Sequence, residues 1–256
     1  VNVNNRKTVM VILSVVLGIA AVITLVMSLS KDRATDKSKE IIARINNDRA
    51  VVNNQENDSL ESMQVAITFD DGPSTVYTEI LLDGLKERGV KATFFLTGQE
   101  IQYSKKVVKR MSNEGHLIGN HTYTHIDLKR TGFSKAKQEI EKTNECIKAI
   151  TGKSPKYIRP PYGDWDKRLL EETDMSIVLW SVDPEDWKDQ NANIAADILR
   201  QVKPGDIILL HDIFKTSVDA ALIVIDELQS KGYRFVTVDK MNSSKIISNN
   251  TYQKEN

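Results

Sequence analysis

The sequence predicts an α/β fold, an irregular (β/α) barrel of about seven strands, preceded by an N-terminal transmembrane helix. Three observations predict it. From Met63 onward, short apolar runs rich in β-branched residues alternate with longer helix-periodic segments. Several of those runs stop abruptly at acidic, histidine or aromatic residues, as strands do at the mouth of a barrel. Ahead of them, Thr8 to Ser30 carries no charged residue and is dominated by Val, Ile, Leu, Ala and Met.

Residues 1–7 form a short tail, in which Arg6 and Lys7 lead into the apolar run. Residues 8–30 at about 1.5 Å per helical residue reach roughly 30 Å, the thickness of a bilayer's hydrocarbon layer. A cleaved signal peptide has a shorter apolar region of about 7 to 15 residues, so an uncleaved single-pass anchor is expected. Cleavage after the small-residue pattern Ser28-Leu29-Ser30 is the alternative, and it would leave a secreted protein. Positive charges on both sides of the run, Lys31, Arg33, Lys37 and Lys39 included, do not fix its orientation. Residues 31–62 are too polar to build a core and read as a stalk.

The folded domain is expected over residues 63–241, with a polar tail over 242–256. Its first strand, Val65 to Asp70, leads into a helix near Thr75 to Arg88 that places Ile80, Leu81 and Leu85 on one face and stops at Gly89. Next come a strand at Ala92 to Thr97, a helix at Lys105 to Asn113, a strand at His116 to Asn120 and a helix at Ser134 to Ile150. Later strands are expected at Tyr157 to Arg159, Ser176 to Trp180, Asp206 to His211 and Arg234 to Val238, with helices at Ala192 to Val202 and Val218 to Ser230.

Composition narrows the partners. The 256 residues carry 35 basic and 35 acidic side chains, and a net charge of zero gives no electrostatic case for nucleic acid. Cys146 is the only cysteine, so no intrachain disulfide exists, and its helical neighbours Ile140, Ile147 and Ile150 mark it as an inert buried thiol.

The strand ends concentrate the chemistry. Asp70 and Asp71 close the first strand at a Gly72-Pro73 turn, although Asp71 or Ser74 in a capping role would account for one acid there. His121 and His125 follow the third strand. Four residues of extended chain span about 13 Å, so this pair can share one metal only if the segment coils, and a helical turn is expected. Two imidazoles plus a carboxylate suit a catalytic divalent ion with positions left open for water and substrate. Arg159 to Gly163 follows the fourth strand, Asp183 to Trp187 the fifth, and the sixth ends in Leu209-Leu210-His211-Asp212. Asp164, Asp186 and Asp212 are left as capping candidates. His116 opens a strand and reads as structural.

The blocks Thr68-Phe69-Asp70-Asp71-Gly72-Pro73, His121-Thr122-Tyr123-Thr124-His125, Arg159-Pro160-Pro161-Tyr162-Gly163, Asp183-Pro184-Glu185-Asp186-Trp187 and Leu209-Leu210-His211 resemble, in order, the five motifs of the polysaccharide deacetylases of carbohydrate esterase family four. The resemblance implies that Asp71, His121 and His125 hold one divalent metal, zinc first, with cobalt, nickel or manganese as alternatives. It implies Asp70 as the general base, Arg159 as its partner, His211 as the acid and Asp183 as the residue that raises the pKa of His211. The backbone N–H of Tyr162 would steady the oxyanion, and Trp187 and Leu209 would wall the acetyl group. The implied substrate is an N-acetylated extracellular polysaccharide, peptidoglycan N-acetylglucosamine first. Alternatives are O-acetyl xylan, a chitooligosaccharide, or a wall-binding protein with an inactive site. The polymer lies outside the cell, which places the catalytic domain on the outer side of the membrane.

Overall fold

β1 (Gln64–Asp70) is buried along nearly its whole length on both faces, which only a strand sandwiched inside a mainly parallel sheet achieves. The computed structural model describes residues 63–190 and 193–248, omitting the side chain of residue 170, together with isolated positions 21, 22, 24, 25, 27 and 44. The expected anchor at 8–30 and stalk at 31–62 otherwise lie outside the described residues. Among the described residues, no helix is long and apolar enough to cross a membrane.

From β1 the chain runs through α1 (Tyr77–Glu87), β2 (Thr93–Leu96), α2 (Gly98–Tyr103), α3 (Lys105–Asn113), β3 (Leu117–Asn120) and α4 (Phe133–Thr151). It continues with β4 (Tyr157–Ile158), α5 (Arg168–Glu172), β5 (Ser176–Val178), α6 (Ile194–Gln201), β6 (Ile207–His211), α7 (Lys215–Ser230), β7 (Arg234–Phe235) and β8 (Ile246–Ile247). The strand order is β6-β1-β2-β3-β4-β5-β8, with β7 pairing the start of β1. Every pairing is parallel except β5 with β8. Beyond β5 the chain reaches β6 in a parallel bridge between Val182 and Ile208, so the sheet curls round on itself and fits a (β/α) barrel.

Alternation along β1 sorts its side chains. Val65, Ile67 and Phe69 join the layer beneath the helices, with Leu81, Leu85, Val224 and Ile225. Ala66 faces the interior with Phe95, Val178 and Ile207. Thr68 and Asp70 continue that inward row, which carries Asp70 to the mouth.

Several expectations change here. Ile80 is 47% exposed, and Leu82 takes its place on the buried face of α1 with Leu81 and Leu85. The sheet runs past the expected boundary at Met241, because β8 pairs with β5. α2, α5 and β8 were not anticipated; each is only a few residues long, below the length at which periodicity is readable. Cys146 is only partly buried, against the helix layer. His116 is structural as expected, with Nδ1 accepting the Ala92 backbone N–H at 3.1 Å.

Candidate active site

Asp70 and Asp71 separate as the chain leaves β1. Asp71 takes a left-handed φ of 69°, an unfavourable conformation for a residue with a β-carbon. Ser74 accepts the backbone N–H groups of Val76 and Tyr77 at the start of α1, so the capping task falls to Ser74 and leaves Asp71 free.

His121 and His125 do not share a helical turn, contrary to expectation. Residues 121–125 form an irregular loop in which Thr122 and His125 have φ values of 63° and 57°. Side chains supply what helical bonds would have given. Buried Asn120 accepts the Thr122 N–H at 2.7 Å, and the Glu139 carboxylate on α4 accepts the N–H groups of Tyr123 and Thr124 at 3.0 and 2.7 Å. The first N–H groups of α2, Gly98 and Gln99, donate to the carbonyls of Thr122 and Tyr123. So held, the two imidazole rings lie 5.0 Å apart, and each Nε2 is 3.3 Å from Asp71 Oδ1.

These three side chains fit a divalent metal. Asp71 Oδ1 is buried and has no hydrogen-bond partner, and the three ligand atoms lie within 4.8 Å of one another. His121 Nδ1 lies 2.6 Å from the Arg159 carbonyl, which can only accept, so the proton sits on Nδ1 and the Nε2 lone pair is directed at the site. In the metal-free site burial pushes the Asp71 carboxyl up, but the neighbouring histidines in their protonated form, His121 first, more than reverse this and hold it at about 2. A carboxylate that stays ionised so far below neutrality is a ready metal ligand.

Asp70 meets Arg159 as expected. The guanidinium is fully buried inside the barrel, over the Phe95 ring at 4.4 Å, and its Nη1 donates to Thr68 Oγ1 at 2.7 Å and Asp70 Oδ1 at 2.8 Å. Nη2 and Nε donate to the carbonyls of Leu179 and Val178. Removing one member of such a buried pair typically costs about 3–5 kcal/mol, because the other charge is left without a partner.

The partner of His211 is a correction. Its Nδ1 donates to Asp186 Oδ1 at 2.8 Å, and its backbone N–H to Asp186 Oδ2 at 2.9 Å, while Ser217 Oγ donates to the same carboxylate. Asp183 instead accepts the Glu185 N–H at 2.8 Å and faces the pocket. The reason is local: Glu185 has a φ of 54°, and beyond this turn Asp186 is fully buried beside His211. Burial disfavours charge on His211, yet Asp186, aided by Asp70 and Asp71, pushes its pKa up to about 9.

A cavity of about 370 Å³ is lined by every expected site residue except Arg159, which lies beneath it: Asp70, Asp71, His121, His125, Tyr162, Asp183, Trp187, Leu209 and His211. Pro160 and Trp180 complete the lining; Trp180 was missed because it reads as the last residue of a strand. Tyr162, with a φ of 64°, and Trp187 are 67% and 54% exposed at the rim, and Leu209 is buried. A second cavity of about 450 Å³ shares Asp71 and His125 with the first and extends toward Gln99, Glu100 and Tyr123. The two form one trough across the metal triad.

The sequence pattern described as polysaccharide deacetylase matches residues 57–176. A peptidoglycan-N-acetylglucosamine deacetylase of Bacillus cereus is 44% identical over 70% of this chain and 68% of its own length. The chain belongs to the polysaccharide deacetylase family. The peptidoglycan-N-acetylmuramic acid deacetylase PdaC of Bacillus subtilis is 41% identical over 71% of this chain, which spans about two fifths (39%) of that relative's length. Its solved structure superposes with a TM-score of 0.68 at 41% identity, over 70% of this chain and 89% of that one. A family 4 acetyl xylan esterase of Clostridium thermocellum, solved in complex with a cobalt ion, gives a TM-score of 0.65 at 35% identity, over 69% of this polysaccharide deacetylase chain and 89% of its own.

Proposed function

We propose that this polysaccharide deacetylase hydrolyses N-acetyl groups on the amino sugars of cell-wall peptidoglycan, N-acetylglucosamine first, and requires a divalent metal to do so. The observation that carries the reading is the placement of a base and an acid around one triad: Asp70 on Arg159, and His211 on Asp186, both lining the cavity that contains Asp71, His121 and His125.

A divalent ion held by Asp71, His121 and His125, zinc first, would supply positive charge to activate water and polarise the amide carbonyl. Asp70 takes a proton from the attacking water, and the Arg159 hydrogen bond keeps that carboxylate oriented. Tyr162, whose backbone N–H finds no acceptor among the described residues, donates it to the developing oxyanion. His211 is protonated at neutral pH and gives its proton to the departing nitrogen. One water is consumed, and acetate and a free amine leave. Trp187 and Leu209 flank the methyl group, while the trough accommodates neighbouring units of a polymer.

The apolar run at 8–30 would anchor the protein in the cell membrane with the catalytic domain outside. The length of the run supports the anchor, and the outer side follows from the substrate, which lies outside the cell. An O-acetyl ester would meet the same base and acid, and the likeness to an acetyl xylan esterase keeps that substrate as the second reading. Mass spectrometry of peptidoglycan digested after treatment with the protein tests the choice. We expect muropeptides that have lost N-acetyl groups; loss of O-acetyl groups alone would overturn it.

A further inference from the structure

Asp212 is fully buried, carries a carboxyl oxygen, Oδ1, without a hydrogen-bond partner, and has no role in the chemistry above. It was a capping candidate, yet α7 begins at Lys215 with Phe214 as its N-cap residue. The carboxylate lies instead against the turn that follows Asp71. A β-carbon placed on Gly72 would overlap it, with Oδ2 2.8 Å and Cγ 2.9 Å away, so only glycine fits between the acid and the turn. Oδ2 accepts the Thr78 hydroxyl at 2.5 Å, and Thr78 Oγ1 in turn accepts the Ser74 backbone N–H at 2.8 Å. Ser74 to Thr78 to Asp212 is therefore one directional chain of donors that ends on the carboxylate.

The turn is fixed from its other side as well. Thr97 N donates to the Gly72 carbonyl at 3.2 Å, Thr97 Oγ1 to the Asp71 carbonyl at 3.3 Å, and Ser104 Oγ to the Pro73 carbonyl at 3.2 Å. Register adds the remaining constraint: β1 pairs with β6 so that Asp70 lies opposite His211, and Asp212 follows His211 directly. A left-handed aspartate persists only where its surroundings over-determine it.

The geometry points to Asp212 and Thr78 as positioning residues that clamp the Gly72-Pro73 turn and so hold Asp71 in the conformation in which it faces His121 and His125. The inference rests on the metal-site reading above and adds residues outside the triad. Neither residue touches substrate; both act through Asp71. The carboxylate is needed as an acceptor for Thr78, so asparagine, whose carbonyl oxygen accepts in the same way, should substitute.

Two measurements on Asp212→Ala, Asp212→Asn and Thr78→Val test it. The first is zinc affinity by chelator competition, expected to weaken about tenfold or more in Asp212→Ala and Thr78→Val and to stay within about threefold in Asp212→Asn. The second is amide hydrogen exchange in the metal-free protein. We expect Thr97 N–H to lose protection in Asp212→Ala and Thr78→Val, while the amides of α3 keep theirs. Should Asp212→Ala not fold, Thr78→Val, which removes one hydroxyl at nearly constant shape, carries both readouts. Wild-type protection at Thr97 in the variants overturns the clamp, as does Asp212→Asn behaving like Asp212→Ala. Exchange that follows the prediction in a wild-type protein that takes no zinc leaves the clamp standing and overturns the metal-site reading.

Discussion

Asp186 holds His211 charged at neutral pH through a direct hydrogen bond, which Asp183 does not make. The imidazole acts as an acid only while protonated, so activity should fall as pH rises through its pKa of about 9. In Asp186→Asn the charge is gone, and the alkaline limb of kcat/KM should move down by at least about one unit toward the ordinary histidine value. Asp183→Asn should move that limb less than Asp186→Asn does and raise KM, because Asp183 makes no hydrogen bond to His211 and faces the pocket. A pH–rate profile of both variants decides the assignment. In the sequence both acids belong to one short segment, Asp183-Pro184-Glu185-Asp186, and either could reach His211; the left-handed Glu185 that selects between them leaves no mark that composition or spacing reveals.

Among the elements, α4 does more than cover the sheet. Glu139 on α4 accepts the backbone N–H groups of Tyr123 and Thr124 and the Thr124 hydroxyl, and thereby sets His125 opposite His121. Glu139→Ala should cut zinc affinity by roughly 10- to 100-fold with the helical circular dichroism unchanged; chelator competition measures the first and the spectrum the second. The strands were legible because each combines β-branched apolar residues with a sharp polar stop, and the structure trims their ends by only a residue or two in most cases, as at Thr93–Leu96 and Ile207–His211. The helix over Lys105–Asn113 has the expected bounds. The loop at 121–125 was not legible, since a four-residue histidine spacing suits a helical turn as well as a loop braced by a distant acid. Glu139 itself is one of several acids on an amphipathic helix, and nothing local distinguishes it.

At the scale of the molecule, the mouth and the opposite end of the barrel titrate in opposite senses. Burial, with Lys91 nearby, lowers His116 to about 4, so the neutral form is favoured by the fold. Its contribution is complete above the unfolded pKa of 6.5 and is lost as pH falls toward about 4, a change on the order of 3 kcal/mol. His211, raised to about 9, contributes fully below 6.5 and loses that contribution as pH climbs through 9. Asp212, raised by burial to about 7, gives up its own contribution as pH climbs from 3.8 through 7 and so opposes His116 on the acid side. Urea denaturation of the metal-free protein at pH 4.5, 6.5 and 9 separates the two: His116→Gln should remove the loss between 6.5 and 4.5 that His116 causes. Residue chemistry, loop bracing and barrel topology converge on one claim, that Asp71, His121 and His125 hold the ion with which Asp70 performs hydrolysis. Acetate release from N-acetylglucosamine oligomers, measured before chelation, after it and on return of zinc, tests that claim most directly. Release should vanish on chelation, return with zinc and fall roughly 10²- to 10⁴-fold in Asp70→Asn at full zinc occupancy. Release that survives chelation, or wild-type turnover in Asp70→Asn, would contradict it.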